Sequence, residues 1–151
     1  MLQRSRLLIA TLWVGALWST GFIVAPMLFA TLADRALAGT IAGSLFRVIA
    51  WLSIVCAMIL FALQWLSSRK PDASSPSRTV DYLVLGMALC TLVGYFGLQP
   101  YMAELRLVLH GTTELSQVAD ARRQFGILHA ASTGIYIVQS LLGLALILKI
   151  R

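Results

Sequence analysis

Charge is what this sequence has least of. Only 12% of its 151 residues are Asp, Glu, Lys or Arg, about half the share found in soluble domains. So few charges cannot clothe a water-facing surface, which excludes an ordinary soluble globular fold. Cysteine is scarce too. Cys56 and Cys90 each sit in the middle of an apolar run, so no disulfide framework is indicated. Neither joins a Cys-x-x-Cys or a Met-x-x-x-Met cluster with Met58 or Met87, so packing explains them better than a soft-metal path does. The surplus of basic over acidic residues leaves a net charge of +6, but those residues are scattered at the ends of apolar runs. With no compact basic patch, nucleic acid is excluded as a partner.

What fills the chain instead is hydrocarbon, at 59% hydrophobic residues. It is gathered into four runs, each near or above the roughly 20 apolar residues that cross a bilayer. We place spans at about 7–30, 38–66, 80–101 and 125–148, in a single domain covering 1–151. The first run could be mistaken for a signal peptide. It is about twice as long as a signal core, and no small-x-small cleavage site precedes a polar mature sequence. Asp34 is placed to cap the second helix. Ser68 to Thr79, rich in Ser, Pro and charge, is the only linker-like piece.

From Tyr101 to Gln124 the chain turns polar but keeps a helical period through Met102, Leu105, Val108 and Leu109. Gly111, followed by Thr112 and Thr113, marks a break. This predicts that the third and fourth helices continue out of the membrane as a helical hairpin over about 102–124. The alternative is an amphipathic helix lying on the membrane surface. The expected fold is all-α: an antiparallel four-helix transmembrane bundle. Basic residues are denser beside the termini and the 68–79 linker. By the positive-inside rule both termini are cytoplasmic, in a bacterial inner membrane, with the hairpin outside.

The last third is chemically unusual. His129, Ser132, Thr133, Tyr136, Gln139 and Gly143 step by three or four along one helix face. Hydrocarbon cannot satisfy hydroxyls and imidazoles, so that face looks inward. Counting about 20 residues from the cytoplasmic end of each span brings Pro26, Arg47, Gln99 and His129 to one level. Ionisable groups at such a depth point to a functional site. The bland readings are that Arg47 snorkels to the headgroups and that His129 only bonds a neighbouring helix.

Arg122, seven positions before His129, falls within about 20° of its face, whereas Arg123 is turned away. Gly39 and Gly43, spaced by four, allow a neighbouring helix to approach. Pro100 is expected to kink the third helix just after Gly97.

Several of these features resemble one family. Ala38-Gly39 with Leu45-Phe46, Gln99-Pro100 with Met102, and Arg123-Gln124-Phe125 followed by His129 and Ser132 are similar to motifs in the small four-helix membrane proteins that include transmembrane protein 205, linked to cisplatin resistance, and bacterial relatives. The resemblance covers most of the chain. It implies the same fold and a membrane location, but no reaction, since the family's activity is not established. It also singles out Arg123 where helix geometry favours Arg122. In the first span, Trp18, Gly21, Pro26 and Phe29 resemble the first helix of the J-type protoporphyrinogen oxidases, which carry a histidine earlier on that helix. Leu7 to Thr11 has none, and helix rise puts His110 about 20 Å from His129.

The expected function is therefore non-enzymatic. An outward-facing cleft built on Arg47, Gln99, Arg122, Arg123, His129, Ser132 and Tyr136 would bind a small anionic ligand, a lipid headgroup or a metal species. Trp18, Gly21, Pro26, Gly39, Gly43 and Pro100 would have structural roles. No cofactor is expected first. The alternatives are a redox protein holding haem b, and a scaffold that packs against a copy of itself or a partner membrane protein. The lipid bilayer is the common partner in all three.

Overall fold

The computed structural model describes residues 2–68, 78–111 and 114–150. Among these it is all-α, with four helical rods long and apolar enough to cross a membrane. The first rod is α1 (Leu2–Trp18), a π-helical segment (Ser19–Val24) and α2 (Ala25–Thr31). The second is α3 (Arg35–Ser68). The third is α4 (Arg78–Thr91), a second π-helical segment (Leu92–Leu98) and α5 (Gln99–Gly111). The fourth is α6 (Leu115–Lys149). Most of the expected linker, Arg69 and Lys70 included, lies outside the described residues, as do Thr112 and Thr113.

The first connection is as tight as the sequence implies. Leu32 turns to an extended conformation, and the Asp34 carboxylate then accepts the backbone N–H groups of Ala36 at 2.8 Å and Leu37 at 3.2 Å. Those amides have no partner inside α3, so the side chain satisfies them.

The kink expected at Pro100 takes a different form. Each proline of the odd-numbered rods follows a π-helical segment ending two residues before it: Val24 before Pro26, and Leu98 before Pro100. Proline supplies no N–H, and its ring crowds the carbonyl four residues back. That position is Phe22 in one rod and Phe96 in the other. Widening the turn to i→i+5 bonding relieves the crowding while the helix continues. The rods stay whole, and their faces are re-registered at that level.

Packing is inside-out relative to a soluble bundle. Leu12, Val48, Met58, Leu85, Leu89 and Leu141 are among many large apolar side chains facing outward, as lipid allows and water does not. The buried cluster is concentrated at the end holding both termini: Trp13 and Val14 of α1, Cys56 and Leu60 of α3, Val84 and Met87 of α4, Leu146 of α6. Small residues let the rods close there. A Cβ on Gly143 would stand 2.8 Å from a Val14 methyl, and one on Gly86 would stand 3.2 Å from Leu142. Two buried side-chain bonds tie rod to rod: Trp13 Nε1 donates to Ser53 Oγ at 2.8 Å, and Gln139 Nε2 donates to Thr91 Oγ1 at 2.9 Å. Toward the opposite end this cluster gives out, and the rods part.

Candidate ligand cleft

Where the rods part, three helical stripes face one another. Arg35, Gly39, Gly43 and Phe46 step along α3; Gln99, Met102, Arg106 and Leu109 step along α5; Phe125 and His129 come from α6. Steps of three and four keep each set on one face. Phe29, two residues from the end of α2, closes one side. Together they line a cleft of about 360 Å³, within the size range of small-molecule sites.

Arg106 is the centre of this arrangement. Its Nη1 donates to the Gly39 carbonyl at 3.4 Å, and its guanidinium carbon lies 5.6 Å from the Phe125 ring centroid. Phe125 in turn stacks on His129, with planes 8° apart and centroids separated by 6.0 Å. Gly39 and Gly43 do not draw a second backbone close. They leave a recess for side chains: a Cβ on Gly43 would stand 3.3 Å from Gln99 Nε2 and 3.4 Å from Arg106 Nη1. Arg35 adds a second positive charge. Among the described residues no carboxylate lines the cleft or pairs with either arginine. No group of three His, Cys, Asp or Glu side chains comes together there either.

Below Gln99 a smaller chamber of about 100 Å³ reaches into the bundle, with Ser53, Thr91, Ser132 and Gln139 on its walls. Phe46, Gln99 and Met102 line both spaces, so the two are adjacent.

The structure divides the expected site residues. Gln99 and His129 share the cleft; Ser132 and Tyr136 belong to the chamber beneath it. Arg47, Arg122 and Arg123 are exposed and line neither space. Tyr136 is committed elsewhere: its hydroxyl donates to the Leu17 carbonyl, and its ring meets Phe22 and Phe46 edge-on at 6.0 Å and 5.6 Å. Trp18, Pro26 and Pro100 are exposed at the flanks of the π-helical segments.

Sequence reasoning passed over Arg106, and the signal for it was present. Arg106 lies seven positions after Gln99, which returns it to within about 20° of the same face. Arg47 follows Phe46 directly and is turned about 100° off the cleft stripe.

One family, described as Domain of unknown function (DUF4149), matches residues 8–110, which take in the first three rods almost entirely. Arg35, Gln99 and Arg106 fall inside the match; Phe125 and His129 fall outside it. No curated protein and no solved structure matches the chain.

Proposed function

The chain belongs to the DUF4149 family, and on that footing we propose that it is a membrane protein whose cleft binds the oxyanion head of an amphiphile. The observation that carries this reading is Arg106, half-buried in an apolar cleft with the more exposed Arg35 also on its wall and no carboxylate among the described residues that line it. Charges held near lipid without a counter-charge are costly, and an anionic ligand supplies the missing partner. Guanidinium is the group best shaped to hold a phosphate or carboxylate in two parallel hydrogen bonds. Gln99 and His129 add neutral polar contacts. Phe29, Phe46, Met102 and Leu109 offer an apolar wall to the ligand's hydrocarbon.

This is a binding function rather than catalysis. Among the described residues His129 is the single histidine lining the cleft, and one imidazole suits an anion better than a haem held by two. The reading includes a bacterial inner membrane, cytoplasmic termini and a cleft facing outward, supported by the distribution of basic residues. It also includes kinship with the transmembrane protein 205 set, supported by Gln99-Pro100 and Arg123 to Ser132.

The test is thermal unfolding of detergent-purified protein titrated with phosphatidylglycerol, phosphatidylcholine or inorganic phosphate. Phosphatidylglycerol should stabilise the protein and phosphatidylcholine should not. Arg106→Ala should weaken that binding by on the order of tenfold or more, while Arg47→Ala leaves it unchanged. Stabilisation by inorganic phosphate alone would identify a free anion as the ligand. Equal stabilisation by both lipids, or an Arg106→Ala protein that responds like the wild type, would refute the proposal.

A further inference from the structure

The chamber under Gln99 is not explained by an anion site, and its wall chemistry differs from that of the cleft. Ser53 donates its hydroxyl proton to the Ile49 carbonyl at 2.7 Å, Thr91 to the Met87 carbonyl at 3.1 Å, and Ser132 to the His129 carbonyl at 2.9 Å. The Gln139 amide N–H is likewise turned to Thr91. With their protons committed to neighbours, these hydroxyls keep lone pairs as acceptors, although Ser53 already accepts from Trp13 and Thr91 from Gln139. The Gln99 and Gln139 amides and the Tyr95 phenol, which also line the chamber, add donors, so the wall suits a small polar molecule that can both donate and accept.

Charge narrows the choice. A cation entering by the cleft must pass Arg35 and Arg106, whose positive charges oppose it. An anion is held by those arginines and meets no cation among the residues that line the chamber below them. A neutral polar molecule faces neither barrier. Size narrows it further: at about 30 Å³ per molecule, 100 Å³ holds about three waters, or one small amide.

We propose that the chamber is a water-filled well in the middle of the bundle that admits small neutral polar molecules from the cleft, past Gln99. It does not depend on the anion reading and would stand if that reading failed. In this arrangement Gln99 is the neck, because its side chain borders both spaces and faces Gly43 across the cleft.

Two native cysteines make the proposal testable without adding a probe. Cys90 lines the chamber, whereas Cys56 is packed in the buried cluster and is 3% exposed. Iodoacetamide, a small neutral amide, is applied to the folded full-length protein in liposomes, and alkylation of each cysteine is followed by mass spectrometry. Cys90 should react on the order of tenfold faster than Cys56. Gln99→Trp should slow Cys90 toward the Cys56 rate by filling the neck. Should that variant not fold, Gly43→Met narrows the same neck from the opposite wall and should do likewise. Equal rates at the two cysteines in the wild type would mean a dry, closed chamber and would overturn the proposal. So would a Cys90 rate indifferent to the folded neck variant, since the reagent would then be arriving through lipid.

Discussion

The ring of Tyr136 occupies the space that a Cβ on Gly21 would need, and its hydroxyl donates to the Leu17 carbonyl one turn earlier on the same rod. The first and fourth rods are thus locked together at the first π-helical segment, by shape and by a hydrogen bond at once. Gly21→Ala is expected to destabilise the protein by about 1–3 kcal/mol through overpacking. Tyr136→Phe should cost about 1 kcal/mol through the lost hydrogen bond. Thermal unfolding in detergent measures both. If the contact is as described, Gly21→Ala adds almost nothing in a Tyr136→Ala background; full additivity would show that it is not.

A second lock sits deeper. Trp13 donates to Ser53 inside the buried cluster, where a donor left without its acceptor costs about 1–3 kcal/mol. Ser53→Ala should therefore cost less in a Trp13→Phe background, where the donor is already gone, than in the wild type. A double-mutant cycle on unfolding midpoints should give a coupling of about 0.5 kcal/mol or more.

The two glycines of α3 should behave differently although they share a face. An added methyl at Gly43 presses on Gln99 and Arg106, whereas at Gly39 the nearest side-chain atom is Phe29 Cζ at 4.0 Å. Gly43→Ala is expected to lower binding of phosphatidylglycerol severalfold, and Gly39→Ala to leave it nearly unchanged. Arg106→Lys should fall between wild type and Arg106→Ala, because it keeps the charge and loses the planar fork. Lipid titration followed by unfolding midpoint separates the variants, and matching losses at both glycines would contradict the geometry.

Topology can be read with impermeant maleimide on intact cells. Glu114→Cys, at the start of α6, should label from outside, and Thr79→Cys, at the start of α4, only after permeabilisation. The reverse pattern would invert the cleft and place it on the cytoplasmic side.

The four rods were legible because bilayer thickness imposes a length on apolar runs, and nothing else in the chain competes with that signal. Asp34 was legible because an N-cap is a local bond between neighbours in sequence. The inward face of α6 was legible over Tyr136, Gln139 and Gly143, whose stripe breaks an otherwise uncharged run, whereas Thr133 of the same stripe is exposed. Arg106 was harder. It lies among residues polar enough to look extramembranous, so it counted toward orientation rather than toward the site. The π-helical segments were hidden because their cause is a missing donor at Pro26 and Pro100, which predicts a defect without specifying how the helix absorbs it. Depth counting could not give the face of Arg47, which is exposed and lines neither space, since rotation about a helix axis is fixed by packing between rods and not by position along one of them.

The two π-helical segments have a consequence for how this chain tolerates changes in length. A π-helical turn is an α-helix carrying one residue too many. Deleting a single residue between Ser19 and Val24, or between Leu92 and Leu98, lets that turn relax to ordinary α-helix with the faces on either side kept in place, at the cost of bringing the proline ring back against the carbonyl four residues before it. The same deletion in α3, which has no such slack, swings every later side chain by about 100°. The first and third rods therefore each hold a spare residue, and the second has none to give.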